Sequence, residues 1–174
     1  NNKIKSFFFS TLENNHSEKL LRLMHEVGLL SLILPEYGYA HCKVSYDFYH
    51  RYTADEHSLR MIRFLEELEN NTNDLKKLSE SYNQLDSKVL LKLSALLQSI
   101  GKSKNLEDPE ERSKSISLAT VHLGLNTEEL KIVDFLIGNA YLMIEIALHS
   151  DTHQPTVIEK FAQKVGTLEK LNLL

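Results

Sequence analysis

Apolar residues in this chain recur at spacings of three and four, and strand-type alternation is nearly absent. Only three prolines and six glycines punctuate its 174 residues. Together these features predict an all-α protein, because the 3.6-residue period puts such positions on one helix face while a strand needs period two. The expected architecture is an irregular helical bundle of seven to nine helices joined by short connections. The length is that of one domain, with enough chain to bury a core.

The helices can be placed from their end signals. Ser17 is read as the cap of a helix carrying Leu20, Leu23, Met24 and Val27, with Gly28 at its end. A short apolar piece over 29–34 closes at Pro35, and 36–47 reads as a loop. Thr53-Ala54-Asp55-Glu56 has the form of a capping box and opens a helix to about Asn70. On that helix His57, Met61, Phe64 and Leu68 form one stripe, and Leu59, Ile62 and Leu65 a neighbouring one, so burial on two sides is expected. Residues 70–74 are polar and break the pattern, and Leu75, Leu78 and Tyr82 form one short helix. Asp86 caps a helix over 89–100 that is apolar nearly all round, hence central, and Gly101 ends it. A charged stretch over 102–113 leads through Pro109 into another helix. Asn126 or Thr127 opens a long apolar helix, and Gln154-Pro155 starts one that Gly166 closes.

Several function classes lose ground. A net charge of −4 disfavours non-specific nucleic-acid binding. The single cysteine, Cys42, forbids an internal disulfide and fits a reducing, cytoplasmic setting; beside His41 it lacks a second thiolate and reads as an ordinary thiol. Phe7-Phe8-Phe9 is too short for a signal sequence, and the apolar stretch 130–148 carries Lys131, Asp134 and Glu145, so a buried helix explains it better than a membrane span. Ile100-Gly101-Lys102-Ser103 lacks the upstream glycine of a P-loop and follows a helix. The acidic group Glu107, Asp108, Glu110 and Glu111 reads as solvated surface. His50 and His57 flank the capping box and could bind a divalent metal, although the bland reading of a hydrogen-bonded core histidine is favoured.

Leu34-Pro35-Glu36-Tyr37, then Asp47-Phe48-Tyr49-His50-Arg51-Tyr52-Thr53-Ala54-Asp55-Glu56-His57-Ser58-Leu59, closely resembles the HD domain of PII uridylyltransferases. The likeness continues through Leu93-Ser94-Ala95-Leu96-Leu97-Gln98-Ser99-Ile100-Gly101-Lys102, resumes at Gly138-Asn139-Ala140-Tyr141-Leu142-Met143, and covers about Leu20 to the end. That family combines a nucleotidyltransferase domain, an HD domain that removes the uridylyl group, and terminal ACT domains. The resemblance implies an HD-like fold and a site in which histidines and aspartates hold metal ions that activate water. His57 matches the first ligand. Gln98-Ser99 stands where the family has its His-Asp pair, Ala140 stands where it has a further histidine, and 110–115 carries none. The family's last aspartate would lie beyond the chain.

Neutral groups thus replace an imidazole and a carboxylate, and a dehydrated divalent ion would be poorly compensated. The expectation is a single degenerate HD-like domain over 1–174, cut from a longer protein, with no catalytic residue. His57, Gln98, Ser99 and Ala140 form its vestigial metal site. No cofactor is expected; flanking nucleotidyltransferase and ACT-like domains and a PII-like signalling protein are the expected partners, with neither nucleic acid nor membrane. Two alternatives stay open. One is a phosphohydrolase rearranged around His50, Asp55, Glu56 and His57, using a metal such as Mn, Fe, Zn or Mg. The other is a nucleotide or anion sensor contacting its ligand through Lys102, whose plainer role, and the favoured one, is to cap its helix.

Overall fold

A computed structural model describes residues 2–40, 52–69, 75–104 and 108–174; side chains at 2, 39, 40, 99–104, 109 and 112 are not described. His41, Cys42, the segment 43–51 with His50, and the polar break 70–74 therefore lie outside the described residues. The chain runs α1 (Asn2–Glu13), α2 (Ser17–Glu26), α3 (Leu29–Ile33), a 3-10 turn (Pro35–Ala40), α4 (Ala54–Glu69), α5 (Lys76–Asn83) and α6 (Lys88–Lys104). It continues with α7 (Pro109–Thr120), a 3-10 turn (Val121–Leu123), α8 (Thr127–Gly138), α9 (Leu142–His149), α10 (Pro155–Val165) and α11 (Leu168–Leu173). No strand occurs among the described residues. The class is all-α, as expected. The eleven α-helices among the described residues exceed the seven to nine anticipated, because short helices such as α3 and α11 show little periodicity of their own, and the N-terminal α1 gave no cap signal.

Helix α6 is the axis of the bundle. Leu90, Leu93, Ala95, Leu96 and Leu97 are buried on it, and it packs against α1, α4, α8 and the Pro35–Ala40 turn. Phe8 and Leu12 of α1, Leu21 of α2, Leu30 of α3, Tyr37, and Leu59 and Ile62 of α4 complete one continuous core around it. The helix does not stop at Gly101 but reaches Lys104. An interior glycine costs about 1 kcal/mol relative to alanine, a small penalty for a helix held along most of its length by core contacts. Ile100-Gly101-Lys102-Ser103 is therefore helix, not a phosphate-binding loop. Lys102 lies in the last turn of α6, where a capping role would require it.

Helix α2 is turned from the expected phase. Leu23 and Val27 are exposed, and the inward face carries Ser17, Glu18, Leu21 and Met24. Ser17 is not the cap. It is buried, its hydroxyl bonds Glu66 Oε1 at 2.6 Å, and the Glu18 amide donates to the same oxygen at 3.0 Å. Polar residues can occupy the inner face because they are paired there. Gly28 does end this helix, with φ of 75° that favours glycine. Pro35 closes α3, but the residues after it form a 3-10 turn rather than open loop, with Tyr37 fully buried.

The expected long buried helix over 130–148 is two helices. By length and apolarity alone Thr127–His149 could cross a membrane. A turn at 139–141 divides it, leaving each part shorter than the roughly 20 residues a span needs. Asn139 ends α8 by donating from its side-chain amide to the Phe135 carbonyl at 2.8 Å. Helix α8 begins with a full capping box, Asn126 with Glu129, and buries Val133 and Leu136. Helix α9 buries Leu142 but exposes Met143, Ile144 and Leu148, so burial does not account for its apolar character. Asp108 caps α7 and is exposed with Glu110 and Glu111, in line with a solvated acidic surface.

Candidate functional site

The two apolar stripes of α4 point different ways. Leu59 and Ile62 enter the core. His57, Met61, Phe64 and Leu68 instead line a cavity of about 470 Å³, and Leu65 of the second stripe borders the cavity with them. Helix α5 contributes Leu78 and Tyr82 to its wall, α6 contributes Leu91, Ala95 and Gln98, and α8 contributes Leu136 and Ile137. Ala140 and the end of α11 complete the lining. Three of the four residues singled out from the sequence, His57, Gln98 and Ala140, therefore border one space. Ser99 follows Gln98 on α6, and its side chain is among those not described.

The cavity is mainly apolar. Gln98 is buried and its Oε1 has no hydrogen-bond partner. The Tyr82 hydroxyl is likewise buried without a partner, and burial pushes its pKa up to about 12. The Ser94 hydroxyl, also on the wall, donates to the Leu90 carbonyl at 2.8 Å. At the rim the Arg60 guanidinium stacks over the Tyr52 ring at 3.9 Å.

Asp55, Glu56 and His57 diverge, although they are adjacent in sequence. Asp55 is buried with its Oδ2 at 3.4 Å from His25 Nε2, and His25 meets Tyr37 edge-on at 5.7 Å. Glu56 accepts from Arg22 Nη1 at 2.8 Å and Arg60 Nε at 2.8 Å. The Arg22 hydrogen bond holds the Glu56 carboxyl below its usual range, and the same contact raises Arg22. The dense cluster proposed for a rearranged hydrolase thus does not converge on one point at its three described members. The sequence reading missed Arg22, His25 and the buried Lys92. The four-residue spacings Glu18–Arg22 and Glu56–Arg60 were the only local signal for the ion pairs.

The Glu56 pairing has a consequence for acid stability. Its folded-state pKa is lowered from 4.5, so its contribution is present above that value and lost as pH falls through the folded pKa. Thermal melting followed from pH 7 to pH 3 is expected to show a smaller acid-induced drop in Glu56→Gln than in the unsubstituted chain.

A catalytic divalent ion ordinarily takes three or more imidazole, thiolate or carboxylate donors. Among the described lining residues the side-chain donors are one imidazole, His57, two carboxamides, Gln98 and Asn172, and the hydroxyls of serines and tyrosines, with no carboxylate or thiolate side chain, facing an alanine methyl and an apolar wall. Among the described residues no three of His, Cys, Asp and Glu gather. These residues do not fit such an ion.

Fold and site together define an all-helical domain built around an apolar cavity with a few buried polar groups. No family model matches the chain. It is 33% identical over 162 residues to the bifunctional uridylyltransferase/uridylyl-removing enzyme of Vibrio atlanticus, an alignment covering 92% of this chain and 19% of that protein. The proteins of the same name from Vibrio cholerae and Zymomonas mobilis are 32% identical over 162 residues and 31% identical over 157. They are covered over 18% and 17% of their lengths, so the chain spans about a fifth of the relatives it matches.

Proposed function

We propose that residues 1–174 are a single, non-catalytic HD-like domain of a larger cytoplasmic protein related to the uridylyltransferases. Its role is to hold a neighbouring nucleotidyltransferase domain in position or to pass a regulatory signal between that domain and ACT-like modules. A PII-like signalling protein is the partner this parentage suggests. The observation that carries the reading is chemical: positions at which the family resemblance calls for metal ligands border one cavity, and there they offer an imidazole, an amide and a methyl group. Similarity across 92% of the chain to a segment of proteins several times longer supports the parentage and the flanking domains.

The test is hydrolysis. The purified chain, supplied in turn with Mn, Fe, Zn and Mg, is expected to leave bis(p-nitrophenyl) phosphate and a uridylylated PII-like protein uncleaved above the metal-only blank. A metal-dependent rate that disappears in His57→Ala would establish the rearranged phosphohydrolase instead.

A further inference from the structure

We infer that the cavity is a binding site for an uncharged, mostly apolar small molecule that presents an N–H or O–H donor to Gln98. This rests on the non-catalytic reading above, since a metal centre would need the same space.

The volume of about 470 Å³ lies in the range of small-molecule sites. Met61, Phe64, Leu68 and Leu136 supply apolar surface for the body of the ligand. Gln98 supplies the point of recognition. Its side chain is 7% exposed, and its Oε1 is an acceptor buried without a partner. Such an acceptor is costly to leave unmet, and a donor delivered by a ligand removes that cost. The Tyr82 hydroxyl, in the same wall and also unpartnered, can serve a second polar group.

Charge decides the class. Arg60 is the only lysine or arginine among the described lining residues, and its Nε is bonded to Glu56 at 2.8 Å while its guanidinium covers Tyr52. Among the described lining residues, a phosphate entering this space would shed water without meeting a cation that is not already paired with a carboxylate. A neutral ligand meets no such penalty.

N-phenyl-1-naphthylamine is a suitable probe: it is uncharged, largely apolar, has one N–H and brightens in apolar surroundings. Titrated into the 174-residue chain, it is expected to bind saturably. Its N-methyl analogue, lacking the donor, should bind about fivefold more weakly. In Gln98→Met that difference should vanish; Gln98→Leu serves if the first variant does not keep its helical circular dichroism. Absence of saturable probe binding by the unsubstituted chain overturns the inference. Equal affinity of the two probes for that chain does so too, as does uridine monophosphate binding more tightly than the probe. None of these results depends on whether phosphodiester is cleaved, so they separate from a failure of the non-catalytic reading.

Discussion

Lys92→Ala is expected to destabilise the bundle by about 3 kcal/mol. Lys92 sits on the central helix and is 4% exposed. Its ammonium donates to the Leu12 carbonyl at 3.0 Å, the Asn14 carbonyl at 3.3 Å and the Ser17 hydroxyl at 3.0 Å. Ser17 in turn bonds Glu66 on α4. One side chain thus joins the end of α1, the start of α2 and, through Ser17, α4. Alanine would leave these buried acceptors without a donor and open a void. Denaturant unfolding measures the loss, and a cost below about 1 kcal/mol would mean that water or rearrangement replaces the staple.

Burial lowers the pKa of Lys92 from 10.5, with Glu66 and Glu69 opposing the shift. The folded state then releases this proton before the unfolded state does. The contribution of Lys92 therefore becomes more favourable as pH rises from the folded pKa toward 10.5. Comparing the chain with Lys92→Met over that window isolates the rise, which the methionine variant should lack.

The other large effect is expected from restoring donors. The triple variant Gln98→His, Ser99→Asp, Ala140→His restores at these three positions the ligand types that the family resemblance calls for. With His57 already bordering the cavity, affinity for Mn is expected to rise by about 100-fold or more. Calorimetric titration measures this, with circular dichroism to verify the fold. If the variant folds and its affinity does not change, the assignment of these positions to one ligand set is wrong.

Periodicity was enough to read the class and the central position of α6, because a helix apolar nearly all round has only one stable place in a soluble bundle. The stripe His57, Met61, Phe64 and Leu68 was legible for the same reason, although its destination as a cavity wall rather than core was not. Spacing cannot distinguish a face pressed against neighbours from one that borders a space. The phase of α2 was misread because buried Ser17 and Glu18 look like surface residues until Glu66 and Arg22 are beside them. The helix at 130–148 was read as continuous because an asparagine that bonds back to its own helix leaves no gap in an apolar pattern. Of the site, the convergence of His57, Gln98 and Ala140 followed from resemblance. The unmet Gln98 acceptor depends on packing between distant segments and had no local signal, whereas the commitment of Arg60 to Glu56 was signalled only by their four-residue spacing.

An electrically impoverished pocket should hold no catalytic ion, and elemental analysis after equilibration with Mn, Fe and Zn followed by gel filtration tests this most directly. The unsubstituted chain should emerge without stoichiometric metal, while the triple variant retains it. One or more ions per chain held by the unsubstituted protein, and lost in His57→Ala, would contradict the account.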